Sequence, residues 1–488
     1  MSMIKVMNLT FSYPGSYHNV FENCSFQMDT DWKLGFIGRN GRGKTTLLNL
    51  LLGKYEYSGS IVSAVKFDYF PYPVQDKERF TIEVLHEVCP TAEDWEFLRE
   101  LSYLDVEEDV VWRPFETLSN GEQTKVLLAA FFLNEGHFPL IDEPTNHLDA
   151  RARNVVSDYL QRKKGYILVS HDRCFLDGCV DHILSLNRAT IDVQSGNFST
   201  WMRNYERQQL FEQTQNEKLQ KEVRHLQQAA QRTTVWSDRI EKTKRGNGPV
   251  DRGYIGHKAS KMMKRAKTME ARQMQAIEEK SALLQNAETV QKLMLHPLSY
   301  HSKTLATVSQ VVLSYDGVSV CEPISFEVKQ GDRIVLDGKN GSGKSSLLKL
   351  LMGEPVNHSG TISLASGLVL SYVPQDTSFL QGTLAEFVRE YPIEEPLFRA
   401  ILRKLGFDRI QFEKNMEEYS AGQKKKVLLA KSLCEKAHLY VWDEPLNFMD
   451  VYSRMQMEQL IRAASPTMIF VEHDRAFQEL IATKRVSL

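Results

Sequence analysis

No stretch of this chain is apolar for longer than the eight residues Val126–Leu133. A bilayer needs about 18–20 such residues in a row, so a membrane-spanning helix is excluded. No basic-then-apolar leader opens the chain; MSMIKVMNLTFSY already reads as a strand. Cysteine is scarce: six among 488 residues, at 24, 89, 174, 179, 321 and 434, with neither metal-ligand spacing nor a disulfide framework. Reduced thiols in a cytoplasmic protein are the expectation. Charge of one sign is missing as well. With 60 Lys and Arg against 62 Asp and Glu the net is −2, which by itself points to no polyanionic partner.

What is present is ordinary in amount and uneven in placement. Hydrophobic residues make up 42% and charged residues 25%, a globular balance, and the length calls for two to four domains. Residues 201–300, however, hold 19 Lys and Arg against 11 Asp and Glu, a net of +8 in a chain of net −2. Such asymmetry hints at contact with nucleic acid or a membrane surface.

The chain repeats itself. FIGRNGRGKTTLL (Phe36–Leu48) recurs as LDGKNGSGKSSLL (Leu336–Leu348), and FPLIDEPTNHLD (Phe138–Asp149) as LYVWDEPLNFMD (Leu439–Asp450). VSHDRCF (Val169–Phe175) recurs as VEHDRAF (Val471–Phe477). Lys44 lies 99 residues before Glu143, and Lys344 lies 100 before Glu444. The two lysines are 300 apart, so about 100 residues separate two copies of one domain. Within each copy, strand-like runs (WKLGFIG, GYILVS, HLYVWD) feed Gly-rich turns or acidic pairs, and helical patterns (KTTLLNLLLG, TKVLLAAFFL) follow. That order predicts an α/β domain with a largely parallel sheet.

The insert reads differently. No Gly or Pro interrupts residues 199–244, and Leu219, Val223, Leu226 and Ala230 alternate by four and three. A second run from Met262 to Met294 keeps that alternation, the spacing of two helices packed along a seam. Gly246, Gly248, Pro249, Gly253 and Gly256 break the helices between them. The expectation is a helical hairpin whose first arm reaches roughly 60 Å. The domains expected are 1–197, a basic hairpin linker 198–300 with its tip at about 245–258, and 301–488.

GRNGRGKT (Gly38–Thr45) and GKNGSGKS (Gly338–Ser345) both fit G-x-x-x-x-G-K-[ST]. In such a loop, backbone N–H groups wrap phosphates, the lysine reaches the β/γ-phosphates, and the Ser or Thr ligates Mg²⁺. The ATP-binding candidates are Gly38, Asn40, Gly41, Gly43, Lys44, Thr45 and Thr46, with Gly338, Asn340, Gly341, Gly343, Lys344, Ser345 and Ser346. Asp142–Glu143 and Asp443–Glu444 end strand-like runs; there the aspartate can hold the metal and the glutamate polarise an attacking water. His171 and His473 follow by 28 and 29 residues, and a neutral imidazole can hydrogen-bond a γ-phosphate or its nucleophile.

LSNGEQ (Leu118–Gln123) and YSAGQ (Tyr419–Gln423) resemble the signature motif of ATP-binding-cassette ATPases. With the loops, acidic pairs and histidines, that resemblance covers both halves end to end. It implies two cassettes facing head to tail within one chain, a monomer with an intramolecular dimer. Ser420 and Gly422 would then complete the site of Lys44, and Ser119 and Gly121 that of Lys344. Tyr13 and Tyr315 stand where the family stacks adenine. Gln375 in YVPQD matches the metal- and water-contacting glutamine; the aligned YFPYPVQD puts Tyr72 at that place and Gln75 three residues on. Asn120 and Ala421 replace the first signature glycine, and Glu472 replaces the usual small residue before the histidine. Two hydrolysis-competent sites with Mg²⁺ at Thr45 and Asp142, and at Ser345, Gln375 and Asp443, are expected.

Two cassettes, no membrane span and a helical linker resemble the ABC-F group. WRPF, FPLIDEPTNHLD, SKMMKRAK, WDEPLN and EHD resemble its Lsa-type branch. Only 75 residues separate Lys44 from Ser119 and 76 separate Lys344 from Ser420, leaving no room for an arm insertion, which that branch also lacks. The resemblance implies a cytoplasmic, ribosome-associated protein that acts on the bacterial 70S ribosome, at 23S rRNA and the P-site tRNA, and confers resistance to lincosamides, pleuromutilins and streptogramin A. No membrane subunit is expected. Lys242, Lys244, Arg245, Arg252, Lys258, Lys261, Lys264, Arg265 and Lys267 can neutralise RNA phosphates, and Tyr254 and His257 can stack on unpaired bases. A housekeeping ABC-F translation factor is the nearest alternative. The ATPase subunit of a membrane transporter has no need of the basic hairpin.

Overall fold

The computed structural model describes residues 2–14, 19–145, 148–186, 191–211, 294–315, 318–339, 341–407, 409–447 and 449–488, with 214–215, 218–219, 221–222 and 224–225. Asn340 and every linker residue assigned to RNA lie outside the described residues. The chain divides into two compact units: residues 1–201 with 292–488, which hold both cassettes, and residues 202–291. The second unit is shorter than the linker drawn from the sequence because Phe198, Trp201 and Leu295 are buried in the first. The described residues of 202–225 are helical. No helix among the described residues is long and apolar enough to cross a membrane.

The first cassette contains β1 (Met3–Phe11), β2 (Phe21–Asp29), β3 (Lys33–Gly38), β4 (Ser58–Val62), β5 (Lys66–Phe70), β6 (His137–Asp142), β7 (Tyr166–Val169), β8 (His182–Leu186) and β9 (Ile191–Ser195). Its main sheet runs β5-β6-β7-β3-β8-β9, parallel except for the edge strand β9. A second, antiparallel sheet, β2-β1-β4, was not foreseen as a separate layer. It follows from the alternation in β1, where Ile4 and Val6 are buried and their neighbours exposed. Central strands are buried along their whole length, as in YILV of β7, and on one face the helix Lys44–Leu51 and the antiparallel layer share a core with the sheet.

The second cassette repeats the plan with β10 (Thr304–Tyr315), β11 (Val318–Ser319), β12 (Ile324–Lys329), β13 (Arg333–Asp337), β14 (His358–Leu364), β15 (Leu370–Val373), β16 (Leu439–Asp443), β17 (Met468–Val471) and β18 (Lys484–Ser487). Its main sheet is β15-β16-β17-β13-β18, all parallel. In both sheets the strand feeding the phosphate loop (β3, β13) neighbours the strand feeding the histidine (β7, β17). The strand ending in Asp–Glu (β6, β16) is next along. Parallel pairing puts all three carboxyl ends on one edge, where open α/β sheets bind their ligands.

Candidate nucleotide sites between the cassettes

Each phosphate loop ends in a glycine with left-handed backbone, Gly43 at φ 99° and Gly343 at φ 90°. A Cβ on Gly43 would lie 2.6 Å from Val20 Cγ1, and one on Gly343 would lie 2.7 Å from Leu313 Cδ1, so no larger residue fits. The helices Lys44–Leu51 and Lys344–Leu351 start there, and their free N-terminal amides make anion sites. Lys44 Nζ donates to Gly38 O at 2.7 Å and to Asn40 Oδ1 at 3.1 Å; Lys344 Nζ donates to Gly338 O and Lys339 O. Burial lowers the pKa of both lysines, against the pull of the neighbouring carboxylates.

A cavity of about 500 Å³ joins the two cassettes. Its walls include Asn40, Gly41, Lys44, Thr45, Asp142, Glu143 and His171 of the first, and Ser420, Gly422 and Lys426 of the second. The sequence pairing of Lys44 with Ser420 and Gly422 is thus a spatial pairing, in a space of ligand size. Ser420 caps the helix Ala421–Cys434, accepting from Gln423 N–H, so the signature turns a helix N-terminus toward the loop of the other cassette. Asn40 N–H donates across the interface to Asp450 Oδ2 at 3.1 Å. At Lys344 the cross-cassette link is the charge of Asp149. Ser119 caps its own helix, bonded to Glu122, and no hydrogen bond joins Ser119 or Gly121 to Lys344 among the described residues.

The two catalytic candidates share a rare backbone: Glu143 has φ 50° and Glu444 φ 46°. Their amides donate to the histidine strands, at Val169 O and Val471 O. His171 Nε2 lies 3.3 Å from Glu143 Oε1, and His473 Nε2 lies 3.3 Å from Glu444 Oε1. Beyond this the sites diverge. Burial, reinforced by Asp142, pushes the Glu143 carboxyl up to about 8. Burial and then the charges of Lys44, Arg454 and Lys426 hold His171 well below the ordinary range, so its imidazole is neutral. For Glu444 burial works upward, but the bond and charge of His473 and the bond from Gln375 prevail and hold it below the ordinary range.

Gln375 accounts for part of that difference. Its Nε2 donates to Glu444 Oε2 at 2.9 Å and its Oε1 accepts from Ser345 at 3.5 Å. Tyr72, at the matching place, turns away and donates to Glu87 at 2.7 Å, and Gln75 is exposed. The first cassette uses Tyr69 instead, whose hydroxyl donates to Asp142 Oδ2 at 2.9 Å. Both Asp443 oxygens are buried without a hydrogen-bond partner among the described residues. Together with Ser345 and Gln375 they form the hard-oxygen donor set that suits Mg²⁺ completed by phosphate oxygens.

Tyr13 and Tyr315 stand at the mouths of the loops, 40% and 50% exposed. Their hydroxyls share hydrogen bonds with Thr46 and Ser346, at 2.7 Å and 2.5 Å, which anchors each ring beside its loop. The sequence reading missed Tyr69, Lys425, Lys426, Asn447 and Arg454. Lys425 Nζ donates to Pro374 O and Asp443 O at 2.7 Å, and burial lowers it to about 8. Asn447 donates to Glu444. The run KKK directly after YSAGQ was a signal for the two lysines. Arg454 had a signal in the repeat, for it stands ten residues after Glu444 as Arg153 stands ten after Glu143.

Residues 21–146 and 321–447 each match the family model described as ABC transporter, and together they exceed half of the chain. The chain belongs to the ABC family. It carries two ABC-type ATPase domains, and its resemblance to the ABC-F group is sustained along the whole length. It is 27% identical, over 98% of itself and 85% of the relative, to ribosome protection protein VmlR of Bacillus subtilis. To the erythromycin resistance ATP-binding protein MsrA of Staphylococcus epidermidis it is 27% identical over 93% of itself and 92% of the relative. Among solved structures, the archaeal ribosome recycling factor aABCE1 in complex with ribosomal stalk protein aP1 matches with TM-score 0.62 at 20% identity, over 98% of this chain and 87% of that one. RNase-L Inhibitor matches equally, over 99% and 87%. At that identity these two speak for the fold.

Proposed function

We propose that this ABC ATPase is a clamp acting on the bacterial ribosome, where its linker displaces antibiotics from the peptidyl-transferase centre. The observation that carries the clamp is the cavity in which one cassette supplies Lys44 and the other Ser420 and Gly422. ATP in such a site is held by both walls and so selects the closed state. Lys44 and Lys344 take the β/γ-phosphates. Glu143 and Glu444 receive the proton of the attacking water, and the neighbouring imidazoles of His171 and His473 steady that water and the γ-phosphate. Thr45 with Asp142, and Ser345 with Asp443 and Gln375, hold Mg²⁺, which neutralises charge on the phosphates. Hydrolysis removes the bridge and the clamp opens.

The ribosomal part rests on the basic linker of 201–300 and on the full-length likeness to VmlR, a ribosome protection protein. We assign the protein to the cytoplasm, on the exit-site side of the ribosome. There Lys242–Lys267 meets 23S rRNA and the P-site tRNA, and the drugs displaced are lincosamides, pleuromutilins and streptogramin A. The test is susceptibility of a sensitive bacterium to lincomycin, tiamulin and virginiamycin M when it expresses this chain or one lacking 245–258. Resistance that disappears with the tip supports the proposal. Full susceptibility with a well-expressed, ribosome-bound chain makes it a housekeeping translation factor.

A further inference from the structure

The cassettes differ at a pair of positions that no step above uses. In the first, Thr145 lies two residues after Glu143 and Ser170 precedes His171; their hydroxyls are 3.3 Å apart, and Ser170 Oγ accepts from Asp172 N–H at 3.2 Å. The matching residues of the second cassette are Leu446 and Glu472. Leucine offers no polar side-chain atom, but the longer glutamate reaches the backbone. Its Oε2 accepts from Leu446 N–H at 3.1 Å and its Oε1 from His473 N–H at 2.9 Å. Glu472 therefore ties the loop that carries Glu444 to the loop that carries His473. Both acceptor bonds end on groups whose positions set the second catalytic pair.

Glu472 also faces the other site. It is 3% exposed and forms part of the wall of the cavity at Lys44. Arg454 lies in the same wall, donating to Asp474 Oδ2 at 3.0 Å and to Leu446 O and Met449 O at 3.1 Å. The charge of Arg454 acts on Glu143 and His171 in the first site and on Glu472 and Asp474 in the second cassette. Arg153 approaches from the first cassette, bonded to Asp172 at 3.0 Å and to the carbonyl of His473 at 3.5 Å. A buried carboxylate depends on the cation beside it. Polyphosphate at Lys44 brings negative charge to the wall that holds Arg454, and the bond from Arg454 to Leu446 O reaches the same loop that Glu472 ties.

We propose that Glu472, through Arg454, relays occupancy of the first site to the alignment of Glu444 and His473 in the second. This rests on the reading of the two sites given above. An E143Q chain fills the first site without cleaving there, and a K44A chain leaves it empty, so in both all turnover belongs to the second site. The E143Q chain is expected to turn over about tenfold faster than the K44A chain, an ordinary size for coupling between sites. Adding L446T and E472S gives the second cassette the hydroxyl tie of the first without the carboxylate, and the ratio is then expected to fall to about two. An unchanged ratio overturns the relay. A second readout is amide exchange in a K344A chain, where ATP occupies the first site alone. Exchange at Leu446 and His473 is expected to slow on adding ATP, and not to slow once L446T and E472S are present; equal slowing in both chains also overturns it. Turnover that survives E143Q combined with E444Q counts against the assignment of the two glutamates, not against the relay.

Discussion

At the scale of single residues, Glu143 and Glu444 both hold a left-handed backbone, at φ 50° and 46°, which costs a residue with a Cβ about 1–2 kcal/mol. Strain of that kind persists where the surroundings impose it, and it gathers at functional sites. Their side chains differ in proton affinity, and a pH series exposes the difference. Glu143, raised to about 8, keeps its proton below that pH and becomes a base only above it. Glu444 lies below the ordinary carboxylate range and is a base throughout the neutral region. With Glu444→Gln silencing the second site, the remaining turnover is expected to rise about tenfold between pH 7 and 9, as one unit of displacement requires. With Glu143→Gln it is expected to stay flat over that range. Opposite or identical profiles in a pH–rate series would show that burial does not govern Glu143 in the working enzyme.

Among elements, the signature helices show how local grammar serves a distant purpose. Ser119 and Ser420 are N-caps with reciprocal bonds to Glu122 and Gln423, the capping box readable three residues on. Ser420→Ala removes the cap at a cost of about 1 kcal/mol, seen as a lower unfolding midpoint. It also weakens turnover at the first site, read in the E444Q chain, because that helix end faces Lys44. Ser119→Ala is expected to cost the same stability and leave the E444Q turnover of the first site intact. The substitution of Tyr72 was legible in the chain, but its consequence was not. Only the pairing of β5 with β6 brings Tyr69 beside Asp142 while Tyr72 turns to Glu87.

For the whole molecule, a buried ion pair crosses between cassettes: Arg173 meets Glu458 at 3.1 Å and 2.5 Å, with little of either side chain exposed. Arg173→Ala strands a buried carboxylate, and such losses cost about 3–5 kcal/mol. The expected result is a lower unfolding midpoint together with weaker first-site turnover, both recovered in part by Arg173→Lys. Glu458→Gln, which leaves no carboxylate to strand, is expected to be milder. The linker supplies a prediction of another kind. If 261–267 binds RNA phosphates, neutralising Lys261, Lys264, Arg265 and Lys267 reduces the slope of log affinity against log salt for ribosomes by about three. An unchanged slope places those charges in solvent.

The sequence by itself determined the repeat, the α/β class, both phosphate loops, the acidic pairs and the histidines. Each of these is a local feature: a loop that wraps phosphate, or a strand that ends in a carboxylate, needs only neighbours along the chain. It also determined the charge of the linker, since charge is a count. The tertiary structure decided which residues stand across from which. Asp450 against Asn40, and Lys426 and Arg454 in the wall of the first site, are brought together by packing between cassettes, and Glu472 meets Leu446 through the pairing of β16 with β17. Some 400 residues separate Asn40 from Asp450 in the chain, and no spacing rule spans that distance. Likewise, the same Asp–Glu pair became two different acids. Proton affinity belongs to the burial and the charges around a group, and those exist only once the chain has folded.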